Sequence, residues 1–194
     1  MDTVLRDILL QEYGNSGPFV VKDPRLCVTL PLWQPALELL GVDQRHLVVV
    51  RHPLEVCRSL AARDSLPQDR AALLWLHHLL EAERTTRTGK RAVVLYDDVM
   101  SDWRSAIRQA GEVAGIDWPI GIDKAANDVD RFLAAPLRHH KAHRYSAMLG
   151  PAPVDRLVSD TWSALRHLAR APDDAAALHS LDRVYAAFSH WRAV

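Results

Sequence analysis

Residues 46–59 read HLVVVRHPLEVCRS, an apolar run that ends on arginine, passes a proline and continues with helical spacing. Leu47 to Val50 has the short β-branched character of a strand buried on both faces. Arg51 closes that run with a permanent charge. Pro53 suits the first position of a helix, where its missing N–H would have had no partner. The stretch therefore predicts a strand and a helix joined by a turn of about two residues. That edge of an open α/β sheet is where ligands bind, because helix-start N–H groups and a strand-tip arginine both favour anions. Ser59, near the end of the second helical turn, is placed to hold a phosphate from a second side. In the alternative reading Arg51 is half of a surface ion pair and Ser59 is a filler on the helix.

The chain of 194 residues is 48% hydrophobic and 25% charged, which suits a single globular domain with a sizeable core. Lys plus Arg and Asp plus Glu both number 24, so no global field draws it to nucleic acid or to an anionic membrane. Anion binding must come from local clusters. No apolar stretch approaches the roughly 20 residues that span a bilayer, and the opening MDTVLRDILLQEYG reads as an interrupted amphipathic pattern, not a signal peptide. Cys27 and Cys57 lie in apolar segments without metal-like spacing, which predicts two reduced, buried thiols in a cytoplasmic protein.

Glycine and proline divide the chain into alternating pieces. PFVVKD (18–23), HLVVVR (46–51) and AVVLY (92–96) read as strands. Helical spacing is found around Val4–Leu9, Trp33–Leu40, 53–64, Ala71–Ala82, Trp103–Ala114, Val154–Leu165 and Leu178–Phe188. Ser65 with Gln68 has the form of a capping box. Strands separated by helices argue for βαβ units and a parallel sheet, with residues 18–117 as an α/β core and 118–194 mainly helical.

VVKDPRL (20–26) repeats the logic of the first stretch. Lys22, Asp23 and Arg25 are expected at the same sheet edge as Arg51, with Asp23 as a base or simply as the ion-pair partner of Arg25. LRHHKAHRYS (137–146) places Arg138, His139, His140, Lys141, His143 and Arg144 in one basic segment. It reads either as an anion-binding loop or as a solvated one. A zinc site on its histidines is disfavoured, since no cysteine or carboxylate lies close and adjacent side chains diverge.

RHPLEVCRS resembles the 3′-phosphate-binding motif of the PAPS-dependent sulfotransferases, an arginine at a strand end with a serine eight positions later. Arg51 and Ser59 match it in type and spacing. VVKDPRLCVTLPLW and RAVVLYDDVMSDWRSAIRQAGEVAGID are similar to flanking segments of the bacterial carbohydrate-type enzymes, in the same order, so the likeness covers about residues 18–117. It implies a P-loop NTPase-like fold, a three-layer parallel sheet flanked by helices, with PAPS as co-substrate, PAP as product and no metal. It also implies that Lys22 assists the leaving group. Pro24 stands where the small-molecule enzymes carry a histidine base, which leaves Asp23 as the candidate. Arg25, Arg138 and Lys141 join Arg51 and Ser59 as expected nucleotide contacts.

The family opens with a strand and a glycine-rich loop for the 5′-phosphosulfate, and the first 17 residues hold no such segment. The expectation is thus an N-terminally truncated or degenerate sulfotransferase-like domain acting on a carbohydrate or small-molecule hydroxyl. The alternative is a non-catalytic nucleotide-binding or interaction module. An incomplete sheet would favour a second copy or a complementing chain as partner. A nucleotide kinase is disfavoured, because no GxxxxGK[ST] pattern is present.

Overall fold

The computed structural model describes residues 2–14, 17–134 and 149–192. In chain order its elements are α1 (Asp2–Tyr13), α2 (Leu26–Leu39), β1 (His46–Val50), α3 (Pro53–Asp64), α4 (Gln68–Thr86), β2 (Arg91–Leu95), α5 (Tyr96–Ala114), α6 (Ile122–Ala134), α7 (Ala152–Leu168) and α8 (Ala175–Arg192).

The expected three-layer parallel sheet is not formed. The described residues are 70% helical and hold one small sheet of two parallel strands. The P-loop NTPase-like architecture is overturned with it. The missing strand is PFVVKD, which has β propensity but no ladder partner. Residues 18–23 run without regular structure and Val20 is 85% exposed. A strand is stabilised by pairing and by packing on its faces, and neither can be read from local composition.

β1 and β2 pair in register from His46↔Arg91 to Val50↔Leu95, with α3 and α4 forming the crossover that parallel strands require. Val48, Val50, Val93 and Leu95 face the main core. There they join Leu54 and Cys57 of α3, Trp75, Leu76 and Leu80 of α4, Val158 and Leu165 of α7, and Leu181 and Phe188 of α8. Ala92 and Val94 turn the other way, onto Ala110 and Ala114 of α5. β1 is covered on one face only: Leu47 and Val49 remain exposed, whereas all of β2 is buried. The reading of HLVVV as buried on both faces is corrected accordingly.

Two boundary details also differ. Ser65 is the left-handed C-cap of α3, at φ 53°, and α4 starts after Pro67, so no capping box joins Ser65 to Gln68. α6 had no counterpart in the strand and helix pattern read from sequence. It is held to α5 by Asp130, which accepts hydrogen bonds from Trp103 Nε1 (2.8 Å) and from both terminal nitrogens of Arg104.

A buried charge cluster ties the far end of the sheet to the helices. Glu83 of α4 is 1% exposed, and its carboxylate accepts from Arg87 Nε and Nη2 (2.9 and 2.7 Å) and from Arg91 Nη2 (2.8 Å). Arg91 Nη1 donates to the Glu83 carbonyl at 2.6 Å, while Arg87 reaches Asp182 of α8. No described helix is long and apolar enough to cross a membrane.

Candidate anion site at the sheet edge

The C-terminal ends of β1 and β2 lie side by side because the strands are parallel and in register. Arg51 and Tyr96 are the residues that follow them. The Arg51 guanidinium lies over the Tyr96 ring, 4.9 Å from its centroid. Its Nε donates to Glu55 Oε2 at 2.9 Å, across one turn of α3. Trp75 of α4 donates its indole N–H to the Arg51 carbonyl at 3.1 Å. The Arg51 side chain is 27% exposed and the Glu55 side chain 5%, so this is a half-buried pair and not a solvated one. Among the described residues, nothing accepts a hydrogen bond from Arg51 Nη1 or Nη2.

His52 caps α3. Its Nδ1 accepts from the Leu54 N–H at 3.2 Å, which leaves the proton of the neutral ring on Nε2. Pro53 follows at the first helical position, as expected. The imidazole meets Trp162 of α7 edge-on at 5.1 Å, and the Arg166 guanidinium lies over the Trp162 ring, 5.8 Å from its centroid. Ser59 is half-buried on α3, with no hydrogen-bond partner for its hydroxyl among the described residues.

Burial holds the His52 pKa below its ordinary value; Glu55 and Asp97 oppose the shift, and Arg166 and Arg58 add to it. Near pH 6.5 the unfolded chain takes up a proton that the folded chain accepts only at lower pH, so stability falls as pH drops through that window. Above it the contribution is flat. Protonation also removes the lone pair that caps α3. His52→Asn keeps a capping acceptor and deletes the titration. Urea midpoints at about pH 7.5 and 5.5 are expected to separate more in the wild type than in His52→Asn. Equal separations would show that this imidazole does not sense pH.

The other sequence candidates do not gather here. Asp23 Oδ1 accepts from the Arg25 backbone N–H (2.8 Å) and from Arg25 Nε (3.0 Å), closing the turn ahead of α2. These hydrogen bonds from Arg25 hold the Asp23 pKa down to about 2. Such a carboxylate is a poor proton acceptor at neutral pH. Lys22 is exposed, and no described hydrogen bond or ion pair joins Lys22, Asp23 or Arg25 to Arg51. Arg138 and Lys141, with the neighbouring histidines, lie outside the described residues. Cys57 is buried, which pushes its thiol up to about 11; Cys27 is half-buried and raised for the same reason. Neither is an activated nucleophile.

Sequence reasoning missed the groups that hold Arg51. The spacing of Arg51 and Glu55 signals an i,i+4 pair. Tyr96 and Trp75 reach the site only through strand register and helix packing. The sequence matches no protein-family model, no curated protein and no solved structure.

Proposed function

We propose that this chain binds a nucleotide bearing a 3′-phosphate, of the PAP or PAPS type, at the β1–α3 turn. The observation that supports this reading is Arg51: its Nε, guanidinium face and carbonyl are engaged, while Nη1 and Nη2 have no acceptor among the described residues. A guanidinium so arranged suits two phosphate oxygens, and the Ser59 hydroxyl adds a donor from the second turn of α3. The resemblance of RHPLEVCRS to the sulfotransferase motif points to the same pair.

The reaction this reading carries is sulfuryl transfer from PAPS to a carbohydrate or small-molecule hydroxyl. The acceptor oxygen forms a bond to sulfur, the bond from sulfur to the 5′-phosphate oxygen breaks, and the hydroxyl proton passes to a base. Lys22 would neutralise the leaving oxygen; Arg25, Arg138 and Lys141 would add positive charge around the nucleotide. No metal is required by this scheme. Two free thiols fit a cytoplasmic setting.

A second reading is nucleotide binding without transfer, in an interaction module. It is favoured by Asp23, whose carboxylate is occupied by Arg25 and stays ionised down to about pH 2.

Calorimetric titration with PAP and with 5′-AMP tests binding. Charge-assisted hydrogen bonds contribute about 1.5–3 kcal/mol each, so PAP is expected to bind at least about tenfold more tightly than 5′-AMP. Equal affinities, or no heat from PAP, would refute the 3′-phosphate site.

A further inference from the structure

Arg51 is held from three directions that no ligand supplies. Trp75 fixes its backbone carbonyl, Glu55 fixes Nε and the Tyr96 ring lies under the guanidinium plane. We infer that Glu55 and Tyr96 are positioning residues, which aim the Nη1–Nη2 edge of Arg51 at an incoming phosphate. The inference rests on the proposed 3′-phosphate site and adds residues that the binding motif does not need for direct contact.

The chemistry of the pair decides between two roles for Glu55. A carboxylate beside a phosphate repels it, so a Glu55 that only neutralised Arg51 would weaken binding, and its removal would strengthen it. A Glu55 that fixes Nε acts in the opposite sense. A free arginine side chain loses rotamer freedom when it binds an anion, and one already locked does not. The single contact through Nε leaves the terminal nitrogens uncommitted, unlike Arg25, whose Nε and Nη2 both turn onto Asp23. Tyr96 limits rotation about the remaining bonds by packing against one face of the guanidinium. Glu55 itself is buried among the first turn of α3, so its own geometry is set by the fold.

Glu55→Gln retains an oxygen acceptor for Nε while removing the negative charge; Glu55→Ala removes both. The expected result is PAP binding weakened about tenfold in Glu55→Ala and equal to or tighter than wild type in Glu55→Gln. Tyr96→Leu is expected to weaken binding about threefold and Tyr96→Phe to leave it unchanged. Tighter or unchanged binding in Glu55→Ala, with Arg51→Ala still strongly weakening it, would overturn the positioning role while leaving the site intact. A second readout is the Arg51 Nε–H NMR signal without nucleotide. It should be protected from exchange in wild type and Glu55→Gln, and lost in Glu55→Ala. An unprotected signal in wild type overturns the inference even if Glu55→Ala fails to fold. A wild type that ignores PAP removes the nucleotide reading and, with it, the phosphate role assigned to this pair.

Discussion

Glu83→Ala is expected to lower the free energy of unfolding by about 3–5 kcal/mol, the scale seen when one partner of a buried ion pair is removed. The carboxylate is 1% exposed and receives three hydrogen bonds from Arg87 and Arg91. Its loss removes the carboxylate partner of Arg91, whose side chain is 8% exposed and which then keeps only neutral acceptors, among them the backbone carbonyl of residue 83. Arg87 keeps Asp182 and some solvent, so the larger share of the cost falls on Arg91. Glu83→Gln, which still accepts hydrogen bonds, should lose less. Denaturant unfolding of both variants measures this. An alanine variant within about 1 kcal/mol of wild type would mean that the cluster is not a structural tie between α4, β2 and α8.

Arg51→Ala is expected to weaken PAP binding by about a hundredfold, since it removes two charge-assisted donors to one phosphate. Arg51→Lys should recover only part of the loss: the charge returns, but a single ammonium cannot reproduce two parallel donors or the bond to Glu55. Both substitutions also take the Arg51 Nε hydrogen bond away from the buried Glu55 carboxylate. Comparing melting temperatures with affinities therefore separates lost binding from lost structure. A loss of affinity in a variant whose melt is near that of wild type supports direct contact; a binding constant unchanged by Arg51→Ala refutes it.

Much of the local structure was legible in the sequence, and for definite reasons. The β1–turn–α3 unit follows from an apolar run, a capping position and Pro53 at the helix start, all short-range signals. The boundaries expected for the helix, 53–64, are those of α3. Gly115, at φ 65°, ends α5 where a left-handed residue is needed. What failed was pairing. PFVVKD and HLVVV both read as strands, but only the second finds a neighbour, and neighbour identity depends on contacts far apart in sequence. α6 carries a helical stripe, Ile122, Ala125, Ala126, Val129 and Leu133, that was present in the sequence but passed over, and none of its residues is fully buried in the fold.

The site divided along the same line. Arg51 and Ser59 could be named from spacing because one strand–helix unit carries them. The ion pair of Asp23 with Arg25 was visible as an alternative, and the structure shows it formed. Tyr96 could not be assigned to Arg51 without the register that sets Val50 opposite Leu95. The expected convergence of Lys22 and Arg25 on Arg51 required a strand that is absent. Their assignment to the nucleotide therefore rests on the resemblance alone.

A 3′-phosphate site at Arg51 is tested by a PAP titration followed by phosphorus NMR, in wild type and Arg51→Ala. The two phosphates of PAP give separate signals, so the experiment reports which one meets the protein. The 3′-phosphate signal is expected to shift and broaden first and most in the wild type, and this response to disappear in Arg51→Ala. A response confined to the 5′-phosphate, or one that survives the substitution, would contradict a 3′-phosphate site at the β1–α3 turn.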